Sequence, residues 1–166
     1  MKAIFAVIVL LALGGCAGKT PPEAARVHGI AATDAPAIDA CWRKVLTSPQ
    51  HQALKEKTGD HADSPTAAMK SNPGKATPQE AALLQSLRRD YLVPCREMAL
   101  AAAAKVHPAI VAILTDSYAQ SDANTARLIS RQITWGEYVS ENQAIVTHRR
   151  AELLAAGEAM QRDLAR

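Results

Sequence analysis

The sequence predicts an all-α protein, built as a small antiparallel bundle of three to four helices with one disulfide. Alanine supplies 34 of the 166 residues, and it is the strongest helix former but a poor core filler. Aromatic residues make up only 4% of the chain, which disfavours a β-sandwich. Apolar residues also recur at helical spacing between capping sequences. The net charge of +3 is too small to indicate a nucleic-acid partner.

The N-terminus has the composition of an export signal. Lys2 is followed by an uncharged apolar run over residues 3–13. A helix needs about 20 residues to cross a bilayer, so this run is too short to span but fits the core of a secretory signal peptide. We therefore predict that residues 1–15 are a cleaved signal peptide.

The end of this signal carries a recognisable pattern, Leu13-Gly14-Gly15-Cys16. It resembles the lipobox of bacterial lipoproteins. The resemblance implies cleavage before Cys16, lipidation of its thiol and acylation of the new amine. Ala17 in the next position implies sorting to the outer membrane, with the domain in the periplasm or at the cell surface. The alternative is an ordinary signal peptide with an unrelated cysteine.

The segment after the signal, residues 16–34, lacks helical periodicity. We predict that it is a flexible lipidated tether, and that the helical domain occupies residues 35–166. Since stable anchoring takes at least two acyl chains, a triacylated cysteine would hold the domain at the membrane.

The remaining cysteines, Cys41 and Cys95, form an even pair. Outside the cytoplasm such a pair predicts a disulfide, here between two helices. Two buried thiols or a catalytic thiol are the alternatives.

The first predicted helix begins at Thr33 or Asp34, with Pro36 in its first turn. Ser48-Pro49 ends it, and a short helix over residues 50–57 closes at Gly59. The residues expected to face the core are Ile38, Cys41, Trp42, Val45, Leu46, Ala53 and Leu54.

Residues 59–77 are polar and rich in turn formers, which predicts an irregular, mobile loop. A capping box at Thr77 then starts a helix that Pro94 should kink and His107-Pro108 should end. We place His107 near the last carbonyls of this helix. The predicted buried face comprises Ala81, Leu84, Leu87, Tyr91, Cys95, Met98, Ala102 and Val106.

Two further helices complete the domain. Pro108 opens one that runs to about residue 131. A second capping box at Thr134, with Ile133 and Tyr138 as a hydrophobic staple, starts a last helix that continues past Ala156.

The candidate functional residues do not form a standard catalytic motif. His148, Arg149 and Arg150 form a basic cluster suited to phosphate or carboxylate groups, or simply a solvated helix face. Trp135 and Tyr138 form an interaction hot spot, or pack in the core. We predict no metal and no cofactor.

We therefore predict a non-enzymatic module that binds or scaffolds another envelope protein. One alternative is an envelope metal-dependent or hydrolytic enzyme using His51, His61 and Asp63, residues that otherwise are solvated. The other is a carrier or sensor with an apolar ligand between alanine-lined helices.

Overall fold

A computed structural model describes residues 22–164, and the side chains of residues 33–163. Every regular element in that range is helical, as predicted. No helix within it is both long and apolar enough to cross a membrane. The elements are α1 (Pro22–Thr47), α2 (Pro49–Thr58), α3 (Ala67–Lys70), α4 (Pro78–Leu87), a π-helical turn (Arg88–Leu92), α5 (Val93–Val106), α6 (Pro108–Ile129) and α7 (Trp135–Leu164).

Helix α1 begins at Pro22, earlier than predicted. The predicted start at Thr33 or Asp34 is wrong, and Pro36 lies inside the helix instead of in its first turn. Alanine-rich sequence on both sides of Pro36 sustains the helix, since proline removes one backbone hydrogen bond but not its neighbours. The tether predicted over residues 16–34 is therefore helical from residue 22. Cys16 and the signal peptide, residues 1–15, lie outside the described residues.

The predicted disulfide joins α1 to α5. Cys41 and Cys95 are bonded, with their Cα atoms 5.6 Å apart. Cys95 is buried with Val45 and Leu87, and Trp42 packs against this cluster.

The predicted caps are present at both capping boxes. The Thr77 hydroxyl accepts from the Glu80 N–H, and the Glu80 carboxylate accepts from the Thr77 N–H. Thr134 and Glu137 form the same pair of hydrogen bonds at the start of α7. His107 ends α5 as predicted, and its backbone N–H donates to the Ala103 carbonyl. Its side chain has a further role, because Nδ1 accepts a 3.1 Å hydrogen bond from the Ala109 N–H. It therefore caps the start of α6.

The π-helical turn precedes Pro94. A proline ring clashes with the carbonyl four residues earlier, and a wider turn relieves that clash. The wider turn also changes the phase of α5. Met98, predicted to be buried, is 38% exposed, while Ala103 is buried. Ala53 in α2, also predicted to face the core, is exposed, whereas the adjacent Leu54 is buried.

The segment predicted as a mobile loop, residues 59–77, is held against α7. It contains α3, and Ala76 is buried in a cluster with Leu54, Leu84, Leu128, Ile133 and Trp135. Its carbonyl groups also accept hydrogen bonds from the first two N–H groups of α7. These contacts argue against the predicted mobility, because they fix the backbone of the 59–77 segment at two carbonyl groups.

Candidate functional site

Trp135 packs in the core, which is the second of the two roles that the sequence predicts for it, and is not part of an exposed interaction site. It has no solvent exposure, and its ring makes an edge-to-face contact with Tyr138 at 5.8 Å between centroids. The Lys57 ammonium lies 5.3 Å from the centre of the indole ring. Tyr138 is partly buried against the same cluster. The pair serves to lock the start of α7 into the core.

The predicted basic cluster on α7 divides into three environments. His148 is exposed and faces Glu152 at 3.5 Å. Arg150 donates a 2.7 Å hydrogen bond to Asp63. Arg149 instead turns towards α6, where its Nη1 donates to the Ser117 hydroxyl at 3.4 Å. The three side chains therefore do not form one solvated face.

Arg149 belongs to an arginine–tyrosine cluster, which we define as Arg96, Ser117, Tyr118 and Arg149. The guanidinium carbon of Arg96 lies 4.9 Å from the centre of the Tyr118 ring, and that of Arg149 lies 5.9 Å from it. Ser117 is buried. The cluster is built from three helices, since α5, α6 and α7 each supply a member. An aromatic face attracts guanidinium groups.

The two arginines of this cluster differ in their anionic partners. Arg96 donates to Asp122 at 2.6 Å, and Arg88 also bonds that carboxylate through two nitrogens at 3.0 and 2.7 Å. Arg149 has no carboxylate partner in the described part of the chain. Burial lowers the pKa of Arg149, and the positive charges of Arg96 and Arg150 lower it further, against a raising effect of Tyr118.

Solvent reaches the unused donors of Arg149. Five described side chains have a fully buried polar atom without a hydrogen-bond partner, and Arg149 is not among them. Its Nε and Nη2 make no hydrogen bond with the described part of the chain, so these nitrogen atoms keep contact with water. An anion from solution can therefore approach them.

A separate open cavity of about 630 Å³ lies beside α2 and α3. Its walls include Lys55, Asp60, His61 and Met69. Behind it, buried His51 places its Nε2 3.7 Å from Asp60. Burial lowers the pKa of His51, more than the nearby Asp60 raises it, so the imidazole favours its neutral form.

The residues of the enzyme alternative are not assembled as that hypothesis requires. His51 faces Asp60, whereas Asp63 is engaged by Arg150. Between residues 22 and 164, no group of three histidine, cysteine or acidic side chains is placed to hold a metal ion.

Comparison with known proteins gave no similarity to a protein family, a curated protein or a solved structure.

The sequence missed most of the arginine–tyrosine cluster. The sequence does not single out Tyr118 or Arg96 as functional residues, although Arg96 follows buried Cys95. The signal that could have indicated the cluster is an arginine beside a core position of a helix, because its long side chain can return to the helix–helix interface.

Proposed function

We propose that the chain is a bacterial envelope lipoprotein anchored through Cys16, whose helical domain binds another envelope component without catalysing a reaction. In this proposal the helices form a small antiparallel bundle behind a lipidated tether. The membrane is the first partner, through the acyl chains, and a protein or other molecule of the envelope is the second.

The Cys41–Cys95 disulfide supports the proposed location outside the cytosol. The two cysteines lie 54 residues apart in sequence and are bonded in the core between α1 and α5. Structural disulfides persist in oxidising compartments and are rare in the cytosol. An exported domain satisfies this condition, and the lipobox-like Leu13-Gly14-Gly15-Cys16 supplies a route to export and retention.

The arginine–tyrosine cluster supports a binding role. Its Arg149 has donors that reach solvent and has no carboxylate among the described residues. Outside the cluster, Arg150 already has a carboxylate partner, because it engages Asp63 at 2.7 Å. A site with an unused charge-assisted donor is suited to an anionic ligand or partner.

The anchor is tested by expressing the full chain in a bacterium with two membranes and separating membranes from soluble fractions. We expect the wild-type protein in the outer membrane, with an N-terminal peptide that begins at Cys16 and carries acyl chains by mass spectrometry. Cys16→Ser should abolish acylation and release the protein from that membrane. Cys41→Ser is the matched control, because it removes a cysteine from the domain and should leave acylation intact. A wild-type chain that retains Met1 and lies in the cytosol would refute the proposal.

A further inference from the structure

We propose that the arginine–tyrosine cluster is a binding site for the phosphate group of a phosphomonoester. Arg149 supplies the principal donors, Arg96 and the Tyr118 ring position it, and Ser117 lines the base. This inference names a ligand class for the domain, and it stands whether or not the chain is lipidated.

Most hydrogen-bond donors of Arg149 have no acceptor among the described residues. Its Nη1 makes a long 3.4 Å contact with Ser117 Oγ, while its Nε and Nη2 are not fully buried and make no hydrogen bond with the described part of the chain. A guanidinium is a planar fork that matches two oxygens of a phosphate group. The Ser117 hydroxyl accepts from Arg149 and keeps its own hydrogen for a third bond to the ligand.

The Tyr118 ring explains why Arg149 is held in place without an anion. Both guanidinium groups lie near the ring centre, Arg96 at 4.9 Å and Arg149 at 5.9 Å. The ring attracts each cation, and Arg96 is already bonded to Asp122 at 2.6 Å. Arg149 therefore keeps its position without a carboxylate, and its charge is available to an anion from solution.

The charge count favours a phosphomonoester over a carboxylate. The arginines of the cluster and of its Asp122 ion pairs are Arg88, Arg96 and Arg149, and the carboxylate that they engage is Asp122. Three positive charges against one negative charge leave a surplus of two. A phosphomonoester carries about −1.5 to −2 at neutral pH, which balances this surplus, whereas a carboxylate balances only half of it.

The test is calorimetric titration of the full chain in non-ionic detergent at constant ionic strength. The probes are inorganic phosphate, glycerol 3-phosphate and mixed micelles of the same detergent with phosphatidic acid, with acetate as the carboxylate probe. We expect the two small phosphates to bind with at least tenfold higher affinity than acetate, and to raise the thermal midpoint. Binding to the phosphatidic acid micelles as well would assign the phosphate to a lipid head group, and binding to the small phosphates alone would assign it to a soluble ligand.

The decisive variant is Arg149→Gln, compared with Arg43→Gln as a charge-matched control on exposed α1 sequence. Arg149→Gln should weaken phosphate binding at least tenfold, and Arg43→Gln should leave it within twofold. In phosphate-free buffer Arg149→Gln should melt at the wild-type temperature or above it, because it removes a partly buried cation that has no anion. A purely structural arginine would instead lower that temperature. If the glutamine variant does not fold, Arg149→Lys keeps the charge, loses the fork and should still weaken binding.

Three results would overturn the proposal. They are the absence of phosphate binding by the wild-type chain, equal binding by the Arg149→Gln variant, and acetate binding as tight as phosphate binding.

Discussion

The amide nitrogen of Gly136 donates a 2.9 Å hydrogen bond to the carbonyl oxygen of Asn72. The neighbouring Trp135 amide donates to Gly74 in the same way, at 2.8 Å. The first N–H groups of a helix have no partner within the helix, so the backbone of the 59–77 segment satisfies two of them. These two hydrogen bonds form a clamp between α7 and the 59–77 segment. The clamp brings the two backbones so close that only glycine fits at residue 136. A Cβ atom there would lie 2.3 Å from the Lys70 carbonyl oxygen.

Replacement of this glycine should loosen the clamp. Gly136→Ala should lower the free energy of unfolding by about 1–3 kcal/mol, the usual cost of overpacking, because backbone must move to admit the methyl group. Urea denaturation measures the change. Gly157→Ala is the matched control in the same helix, since nothing lies within 4 Å of its Cβ position. That variant should gain about 0.5–1 kcal/mol from helix propensity. Equal effects at both positions would contradict the clamp.

Trp135 offers a test of burial against surface exposure. Because its side chain has no solvent contact, Trp135→Ala should lower the free energy of unfolding by about 3–5 kcal/mol. Leu154→Ala is the comparison, since that leucine is 42% exposed and its loss should change stability by less than about 0.5 kcal/mol. A Trp135→Ala protein with wild-type stability would restore the prediction that this residue is an interaction site.

The disulfide should contribute strongly to stability. Closing a loop of 54 residues stabilises a fold by about 4 kcal/mol in the chain-entropy model. The double variant Cys41→Ser, Cys95→Ser should therefore unfold at a much lower urea concentration than wild type. Reductant should shift the wild-type curve towards that of the variant and leave the variant curve unchanged. A wild-type curve that does not respond to complete reduction would count against this contribution.

Asp122 should make stability depend on pH in the acid range. The hydrogen bonds from Arg88, aided by those from Arg96, lower the pKa of this carboxyl against the raising effect of burial. The folded state thus binds the proton less tightly than the unfolded state. The stabilisation is fully present above the unfolded pKa of about 3.9, and it disappears as the pH falls through the lower folded pKa.

Asp122→Asn should remove this dependence and cost about 1–3 kcal/mol at neutral pH, since it breaks charge-assisted hydrogen bonds. Urea denaturation from strongly acidic to neutral pH measures both effects. Asp116→Asn on the same helix is the control, because Asp116 is exposed and, among the described residues, accepts a hydrogen bond only from Gln120. If the Asp122→Asn variant and the wild-type protein lose stability in parallel on acidification, Asp122 is not the group responsible.

Local sequence signals were enough to predict the all-α class, the disulfide pairing of the domain and most helix ends. The capping boxes at Thr77 and Thr134, the glycine at residue 59 and the His107-Pro108 junction lay where predicted. Each of these signals acts over a few neighbouring residues, so it does not depend on distant parts of the chain. The disulfide prediction needed only an even pair of cysteines and the predicted export of the chain.

The packing of the helices set which faces are buried and what each polar side chain meets. The exposure of Met98 depends on a wider turn before Pro94, and the burial of Trp135 depends on the packing of residues 59–77 against α7. His148 and Arg149 are adjacent members of one basic run in the sequence. Arg149 lies near the Tyr118 ring, whereas His148 is exposed to solvent. Helical periodicity gives the direction of a side chain from its own axis, but only the neighbouring helices determine whether that direction leads to a partner.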